Sequence, residues 1–330
     1  VIVTLTMNPS FDRTIELDGP LERGQVQRAA AAGQEPGGKG VNVARALYSA
    51  GCATLAVLPG APSDPMVLAL EAAGIPTATV PIDSPIRSNI TLTEPDGTTT
   101  KLNDPGVRLT DGTVAELIET VVARSSLATW LVLAGSVPPG VRDDFYASLV
   151  RAVRDRPNPP RIAVDSSGGP LAALIASGAR VDLIKPNAEE LLQLAESLGL
   201  DAGGATHEQL EADPGLAVSL AARLLSPSLG GVLVTLGSRG AALVTHDGAW
   251  LAPAPPIVAR STVGAGDSSL AGFVLADQRG DDPAACLAQA VAHGAAAASL
   301  PGSSVPSLQQ THPDDIVVAT LPRRSAERSN

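Results

Sequence analysis

The sequence predicts an α/β protein: a mostly parallel central sheet with helices on both faces, and a small separate β-sheet forming a lid. Three observations predict it. Apolar runs of strand length recur along the chain and are mostly followed by segments of helix length, the alternation that builds a parallel sheet. Around Glu94-Pro95-Asp96-Gly97 a hairpin signature breaks that alternation, and residues 14–36 run in short polar and apolar steps where a helix would be due. At 330 residues and 44% hydrophobic, the chain is long enough to bury a core on both sides of a sheet.

The elements follow in order. Residues 1–6 form a buried strand leading into Met7-Asn8-Pro9-Ser10-Phe11-Asp12, which puts Asp12 in a turn at the edge where open α/β sheets bind ligands. The Gly-x-Gly-x-x-Gly of a dinucleotide fold is missing there, which counts against a dehydrogenase. Gly33 to Lys39 fits most of a P-loop, but position 40 is Gly where a metal-binding Ser or Thr is needed, so that reading fails. What remains is a glycine hinge entering a helix, with Gly38 free to approach a ligand and Lys39 and Asn42 on the first turn. A strand at 54–58, a helix at 65–73 and a strand at 77–80 come next. Segments of about 12–36 and 86–107 are assigned to the lid, where Arg87 and Lys101 are two cations that closure would bring over an anion; solvated edge charges are the plainer alternative for them.

Strands at 130–134, 161–164, 181–184 and 231–236 complete the sheet, each expected to be followed by a helix. Their C-terminal loops carry Gly135-Ser136, Asp165-Ser166-Ser167-Gly168, Lys185-Pro186-Asn187-Ala188-Glu189-Glu190 and Gly237-Ser238-Arg239-Gly240. Asn187 and Glu190 lie three apart on a first helical turn. That spacing suits a hydrated Mg²⁺ and suits a capping box almost equally well. Lys185 is explained by neither.

The stretch Ser261-Thr262-Val263-Gly264-Ala265-Gly266-Asp267-Ser268-Ser269 opens an apolar helix behind two glycines and an acid. The amides of Gly264, Ala265 and Gly266 would converge with the positive helix end beside the Asp267 carboxylate, an anion site with a base attached. Phosphoryl transfer needs that combination. An ordinary Asp at a helix start accounts for the motif alone about as well.

Composition excludes other classes. A net charge of -11 leaves no field to hold a nucleic-acid backbone or an anionic membrane, and no apolar stretch reaches spanning length. Cys52 and Cys286 are the only cysteines, so neither a disulfide framework nor a zinc site is implied, and a cytoplasmic location fits. Twenty arginines stand against three lysines, and Lys39, Lys101 and Lys185 all fall in the segments singled out above.

Taken together, Asn8-Pro9-Ser10-x-Asp12, Gly37-Gly38-Lys39-Gly40-x-Asn42, Gly135-Ser136-x-Pro138-x-Gly140, Lys185-Pro186-Asn187-x-x-Glu190 and Ser261 to Ser268 resemble the ordered signature set of the ribokinase/PfkB carbohydrate kinases. The likeness runs from about residue 1 to 305, and Arg87-x-Asn89 with the Lys101 hairpin points to the phosphosugar branch that includes 1-phosphofructokinase. The resemblance implies a ribokinase-like three-layer α/β/α domain over residues 1–321, with a frayed tail at 322–330. It implies ATP-dependent phosphorylation of a sugar phosphate, D-fructose 1-phosphate first, with 6-phosphofructokinase, tagatose-6-phosphate kinase or a catalytically silent sensor as alternatives. Asp267 would be the base, with the amides of Gly264, Ala265 and Gly266 as its anion hole. Asp12, Gly38 and Asn42 would hold sugar hydroxyls, while Lys39, Arg87, Lys101 and Ser136 would face the sugar's phosphate. Lys185, Thr235, Gly237, Ser238 and Gly240 would hold the nucleotide, and Asn187 and Glu190 would organise Mg²⁺ through water. A monovalent cation near Ser261 and Val263 and a homodimer through the lid are further implications.

Overall fold

A computed structural model describes residues 1–321; the expected frayed tail at 322–330 lies outside the described residues. The strands are β1 (Ile2–Thr6), β2 (Ser10–Leu17), β3 (Ala29–Gly37), β4 (Thr54–Pro59), β5 (Thr77–Val80), β6 (Arg87–Thr93), β7 (Thr99–Leu102), β8 (Trp130–Ala134), β9 (Arg161–Asp165), β10 (Leu183–Ile184), β11 (Gly231–Thr235), β12 (Ala241–Thr245), β13 (Ala249–Ala252) and β14 (Ala319–Leu321). The helices are α1 (Lys39–Ser49), α2 (Pro65–Ala72), α3 (Asp111–Arg124), α4 (Phe145–Arg154), α5 (Gly168–Ala176), α6 (Ala188–Ser197), α7 (His207–Ala212), α8 (Pro214–Ala222), α9 (Ala265–Arg279) and α10 (Pro283–Ala298).

Among the described residues ten strands make the main sheet in the order β14-β13-β12-β11-β10-β9-β8-β1-β4-β5, and β5 through β11 are parallel in that order. Their residues are apolar on both faces because both faces are covered. On one side, Leu117, Tyr146, Leu171, Leu191 and Leu220 bring α3, α4, α5, α6 and α8 against Val3, Leu5 and Leu131. On the other, Val43 and Leu47 of α1 pack with Leu270 and Val274 of α9 and Leu287 of α10 against Val132 and Leu233. This is the three-layer arrangement expected. Among the described residues no helix is long and apolar enough to cross a membrane.

Two sequence expectations are corrected. The segment after β11 is a single 3-10 turn, Gly237–Arg239, followed by antiparallel β12 and β13, with no helix between. Gly237 and Gly240 turn the chain back at once, and Ala241 to Thr245 then pairs with β11 along its whole length. The strand expected at 181–184 shortens to Leu183–Ile184, Val181 contributing only an isolated bridge to Leu229.

The small sheet runs β3-β2-β6-β7. Antiparallel pairs join β2 to β3 and β6 to β7, whereas β2 and β6 pair in parallel, because each leaves the carboxyl edge of the main sheet in the same direction, after β1 and β5. Asp12 is therefore inside a lid strand, opposite Asn89, and not in the turn expected for it. In this register Asp12, Arg87, Asn89 and Lys101 share one face of the lid.

Candidate active site

Chain order reverses between β1 and β8: from β1 the sheet grows through β4 to β5, and from β8 through β9 and β10 to β11. Ligands of open α/β sheets bind at the carboxyl edge of such a reversal. Here the segments that follow β1, β8, β9, β10 and β11 converge with the N-termini of α1, α6 and α9.

Each piece is placed by local chemistry. Helix α9 starts from Gly264, whose φ of 76° is left-handed; the Ala265 amide donates back to Thr262 O at 3.4 Å, and the Gly266 amide follows in the first turn, where no carbonyl of the helix can take it. A Cβ on Gly266 would lie 3.3 Å from Lys185 Nζ, which puts that ammonium against the helix start. Helix α1 starts from Gly38, where φ is 99° and a Cβ would meet Thr6 Cγ2 at 2.8 Å and Pro9 Cα at 3.2 Å. A side chain there would push α1 off the end of β1.

At the centre is an alternation of charges. Asp165, 0% exposed at the end of β9, contacts Lys39 Nζ at 2.8 Å and Lys185 Nζ at 3.0 Å. Burial raises its pKa, but the two ammonium groups outweigh that and hold it below the ordinary carboxylate range. Asp267, 7% exposed, accepts a hydrogen bond from Asn42 Nδ2 at 2.8 Å. Its pKa is pushed up to about 6, first by burial and then by the Asp165 charge, against the opposing pull of Asn42, Lys39 and Lys185. One carboxylate is held ionised and its neighbour is poised near neutrality, the separation that acid-base chemistry requires.

The sequence analysis put Asp165 in a loop at the carboxyl edge of the sheet and gave it no role. The available signal was an acid ending an apolar strand, Arg161-Ile162-Ala163-Val164-Asp165, as Lys185 does one strand later. Asp165→Ala is expected to cost on the order of 3 kcal/mol of stability, because it leaves the 4% exposed Lys185 without its counter-charge. Thermal or denaturant unfolding measures it, and a loss below about 0.5 kcal/mol would contradict a central role.

The other candidates divide. Glu190 Oε2 accepts from Asn187 N at 2.9 Å and Asn187 Oδ1 accepts from Glu190 N at 2.8 Å, so these two side chains form the capping box of α6. Glu190 Oε1 also holds Lys39 Nζ at 3.2 Å. Lys39 is thus engaged by Asp165 and Glu190, where the resemblance had it facing the sugar's phosphate. Burial opposes its charge, yet Asp165 and Glu190 keep its pKa above the ordinary lysine value. Arg87 spans three carbonyls, of Pro9, Asp104 and Asn8, at 3.4, 2.5 and 3.1 Å. Burial lowers its pKa, against Asp12 and Asp104. Ser136 accepts from Asn8 Nδ2 at 3.4 Å, which brings it beside the Arg87 anchor. Lys101 is exposed on the same lid face.

On the nucleotide side, Thr235 N donates to Pro186 O at 3.1 Å and clips β11 to the Lys185 loop. Gly237 and Ser238 are exposed in the turn beyond it, and Gly240 closes that turn. Among the described residues no three His, Cys, Asp or Glu side chains cluster as a metal site. Glu190, the acid of the pair expected to organise Mg²⁺, is already engaged by two partners, so the residues fit an ion held by water and phosphate and do not fit an inner-sphere protein site. An open groove of about 470 Å³ between β5 and α3 contains none of these residues.

The pattern of the pfkB family carbohydrate kinases matches residues 5–310. The chain is a member of this family. It is 35% identical over 327 residues to the 1-phosphofructokinase of Haloferax volcanii, covering 97% of this chain and 100% of that one. It is 34% identical to the ATP-dependent 6-phosphofructokinase isozyme 2 of Escherichia coli, over 83% of this chain and 84% of the relative. Phosphofructokinase-2 from Escherichia coli in complex with fructose-6-phosphate superposes with a TM-score of 0.79 at 30% identity, covering 90% of this chain and 93% of the other. A complex of the same enzyme with potassium gives 0.83 at 30% identity, covering 94% and 96%. The ribokinase-like fold follows, and so does a kinase activity on a carbohydrate acceptor.

Proposed function

We propose that this pfkB kinase transfers the γ-phosphoryl group of ATP to a hydroxyl of D-fructose 1-phosphate, giving fructose 1,6-bisphosphate. The observation that carries the reading is Asp267: a buried carboxyl with a pKa near 6, at the amino end of α9 and beside Lys185. As the acceptor oxygen bonds to the γ-phosphorus and the bond to the β-phosphate oxygen breaks, Asp267 takes the hydroxyl proton and ADP leaves. The amides of Gly264, Ala265 and Gly266, with Lys185, stabilise the charge on the moving group. Thr235, Gly237, Ser238 and Gly240 line the nucleotide's place. Asp12, Gly38 and Asn42 meet the sugar hydroxyls, and Arg87, Lys101 and Ser136 meet its phosphate.

Bound Mg²⁺ would neutralise nucleotide phosphate charge, with Glu190 and Asn187 reached through water. Glu190→Gln is then expected to raise the Mg²⁺ concentration for half-maximal rate by several-fold. An unchanged titration would reduce Glu190 to its helix cap. A monovalent cation beside Ser261 and Val263 belongs to the same reading, and the potassium complex of the Escherichia coli relative supports it. A cytoplasmic location belongs to the same reading, with ATP as the phosphoryl donor. The lid face opposite Asp12 carries Ile15, Ile90, Leu92 and Leu102, the last 55% exposed, and a second copy of the chain is the partner we assign to it.

The substrate is tested by ADP release over fructose 1-phosphate, fructose 6-phosphate, tagatose 6-phosphate and free fructose. Fructose 1-phosphate is expected to give the highest kcat/KM. Preference for fructose 6-phosphate would favour the second reading, a 6-phosphofructokinase, which the Escherichia coli relatives support. Absence of turnover on every sugar would favour a silent sensor.

A further inference from the structure

We infer that Arg45 is a positioning residue for the transfer step: its guanidinium fixes the Asn42 amide so that the amide nitrogen faces Asp267, and it ties that amide to the seat of lid strand β3. The inference rests on the reading of Asp267 as the base.

The geometry is a single hub. Arg45 lies on α1 one turn beyond Asn42, its side chain 13% exposed. Its Nη1 donates to Pro36 O at 2.9 Å, Ser303 O at 3.2 Å and Asn42 Oδ1 at 3.4 Å. Its Nη2 meets Glu35 Oε2 at 3.3 Å, and the same oxygen accepts from Ser303 Oγ at 2.5 Å. Pro36 and Glu35 belong to β3, and Ser303 to the segment after α10. Lid strand β3, helix α1 and the segment after α10, the last 258 residues away, therefore meet on one planar cation, which a lysine could not serve at once.

The consequence for Asp267 follows from the amide. An asparagine side chain presents an acceptor on one side and a donor on the other. With Oδ1 held by Arg45, Nδ2 is left to donate to Asp267 Oδ2, at 2.8 Å. Reversed, the amide would set its oxygen against the carboxylate and its NH₂ against the guanidinium, two repulsive contacts. Arg45 thus decides which end of Asn42 the base sees. It also makes that choice depend on whether β3 is in place, so the lid and the base are connected through one residue that contacts neither substrate nor reacting atom in this reading.

The charged groups that face Asp267 are Asp165 at the end of β9, Lys39 on α1 and Lys185 after β10; Glu35 is the acid that faces Arg45. None of them changes in Arg45→Met. Loss of the Asn42 bond removes a donor that stabilises the ionised form, so the Asp267 pKa rises and the acid limb of the pH profile moves up.

The test is the pH dependence of kcat and kcat/KM for the wild type, Arg45→Met, Arg45→Lys, Asn42→Ala and the Arg45→Met/Asn42→Ala double variant, with Asp267→Asn as reference. In Arg45→Met the acid limb is expected to move up by about half to one pH unit and kcat at pH 6 to fall several-fold, with KM for ATP within about twofold. In the Asn42→Ala background the same substitution is expected to leave the limb where it is. A wild-type limb near pH 6 that Arg45→Met does not move overturns this inference alone, as does an equal shift in both backgrounds. A wild type without that limb overturns the base assignment and this inference together. If Arg45→Met does not fold, Arg45→Lys, which keeps the charge and loses the fork, is read by the same criteria.

Discussion

Asp267→Asn is expected to lower kcat by about 10² to 10⁴ while raising the midpoint of thermal unfolding at neutral pH. The rate effect follows from the removal of a carboxylate that takes the acceptor's proton; the Asn42 contact and the helix start remain, so ATP binding is retained. The stability effect has the opposite sign for a definite reason. The Asp267 pKa in the folded chain is about 6 against an ordinary 3.8. Between those values the native state holds a proton the unfolded chain has released, so stability falls as pH rises through that window and stays lower above it. A neutral amide escapes the penalty, and the gain in midpoint should shrink as pH is lowered toward 4. Near-wild-type turnover in the variant would remove Asp267 from the role, and a lowered midpoint at pH 7 would contradict the burial argument.

Free fructose is expected to be a worse substrate than fructose 1-phosphate by roughly 10³ or more in kcat/KM. The lid face that carries Asp12 and Asn89 also carries Arg87 and Lys101, in a chain of net charge -11 with three lysines. Lys185 and the α9 amides are assigned to the nucleotide, and Lys39 is engaged by Asp165 and Glu190. Arg87, Lys101 and the Ser136 hydroxyl are then what meets a second anion. A charge-assisted contact in a closed site is worth about 1.5 to 3 kcal/mol, and two of them, discounted for coupling, give that ratio. Arg87→Ala should raise KM for the phosphosugar far more than KM for ATP. It also frees the carbonyls of Asn8, Pro9 and Asp104, so Lys101→Ala, which breaks no internal bond, is the cleaner companion. Equal kinetics on free and phosphorylated sugar, or equal loss on both in these variants, would replace the assignment with a kinase of free sugars.

What the sequence determined by itself were the features that short-range chemistry controls. Strands β1, β8, β9 and β11 read as buried because their apolar runs leave no polar face, and α9 reads from Gly264-Ala265-Gly266-Asp267 because a left-handed glycine and helix-spaced apolar residues are local signals. The same locality made Asn187 and Glu190 legible as a pair and could not choose their role, since a cap and a water-bridged metal use the same spacing. Only the tertiary structure decided the partners. Lys39 meets Asp165 across 126 residues and Asn42 meets Asp267 across 225, and neither spacing leaves a trace in the sequence. Burial then acts on what has been brought together: the desolvation that lifts the Asp267 pKa, and the two ammonium groups that hold Asp165 ionised, arise only when β9, β10, α1 and α9 close on one point. The antiparallel β12 and β13 escaped the alternation rule for a related reason. Their apolar residues resemble those of a buried helix, and only the sheet edge offered by β11 makes them strands.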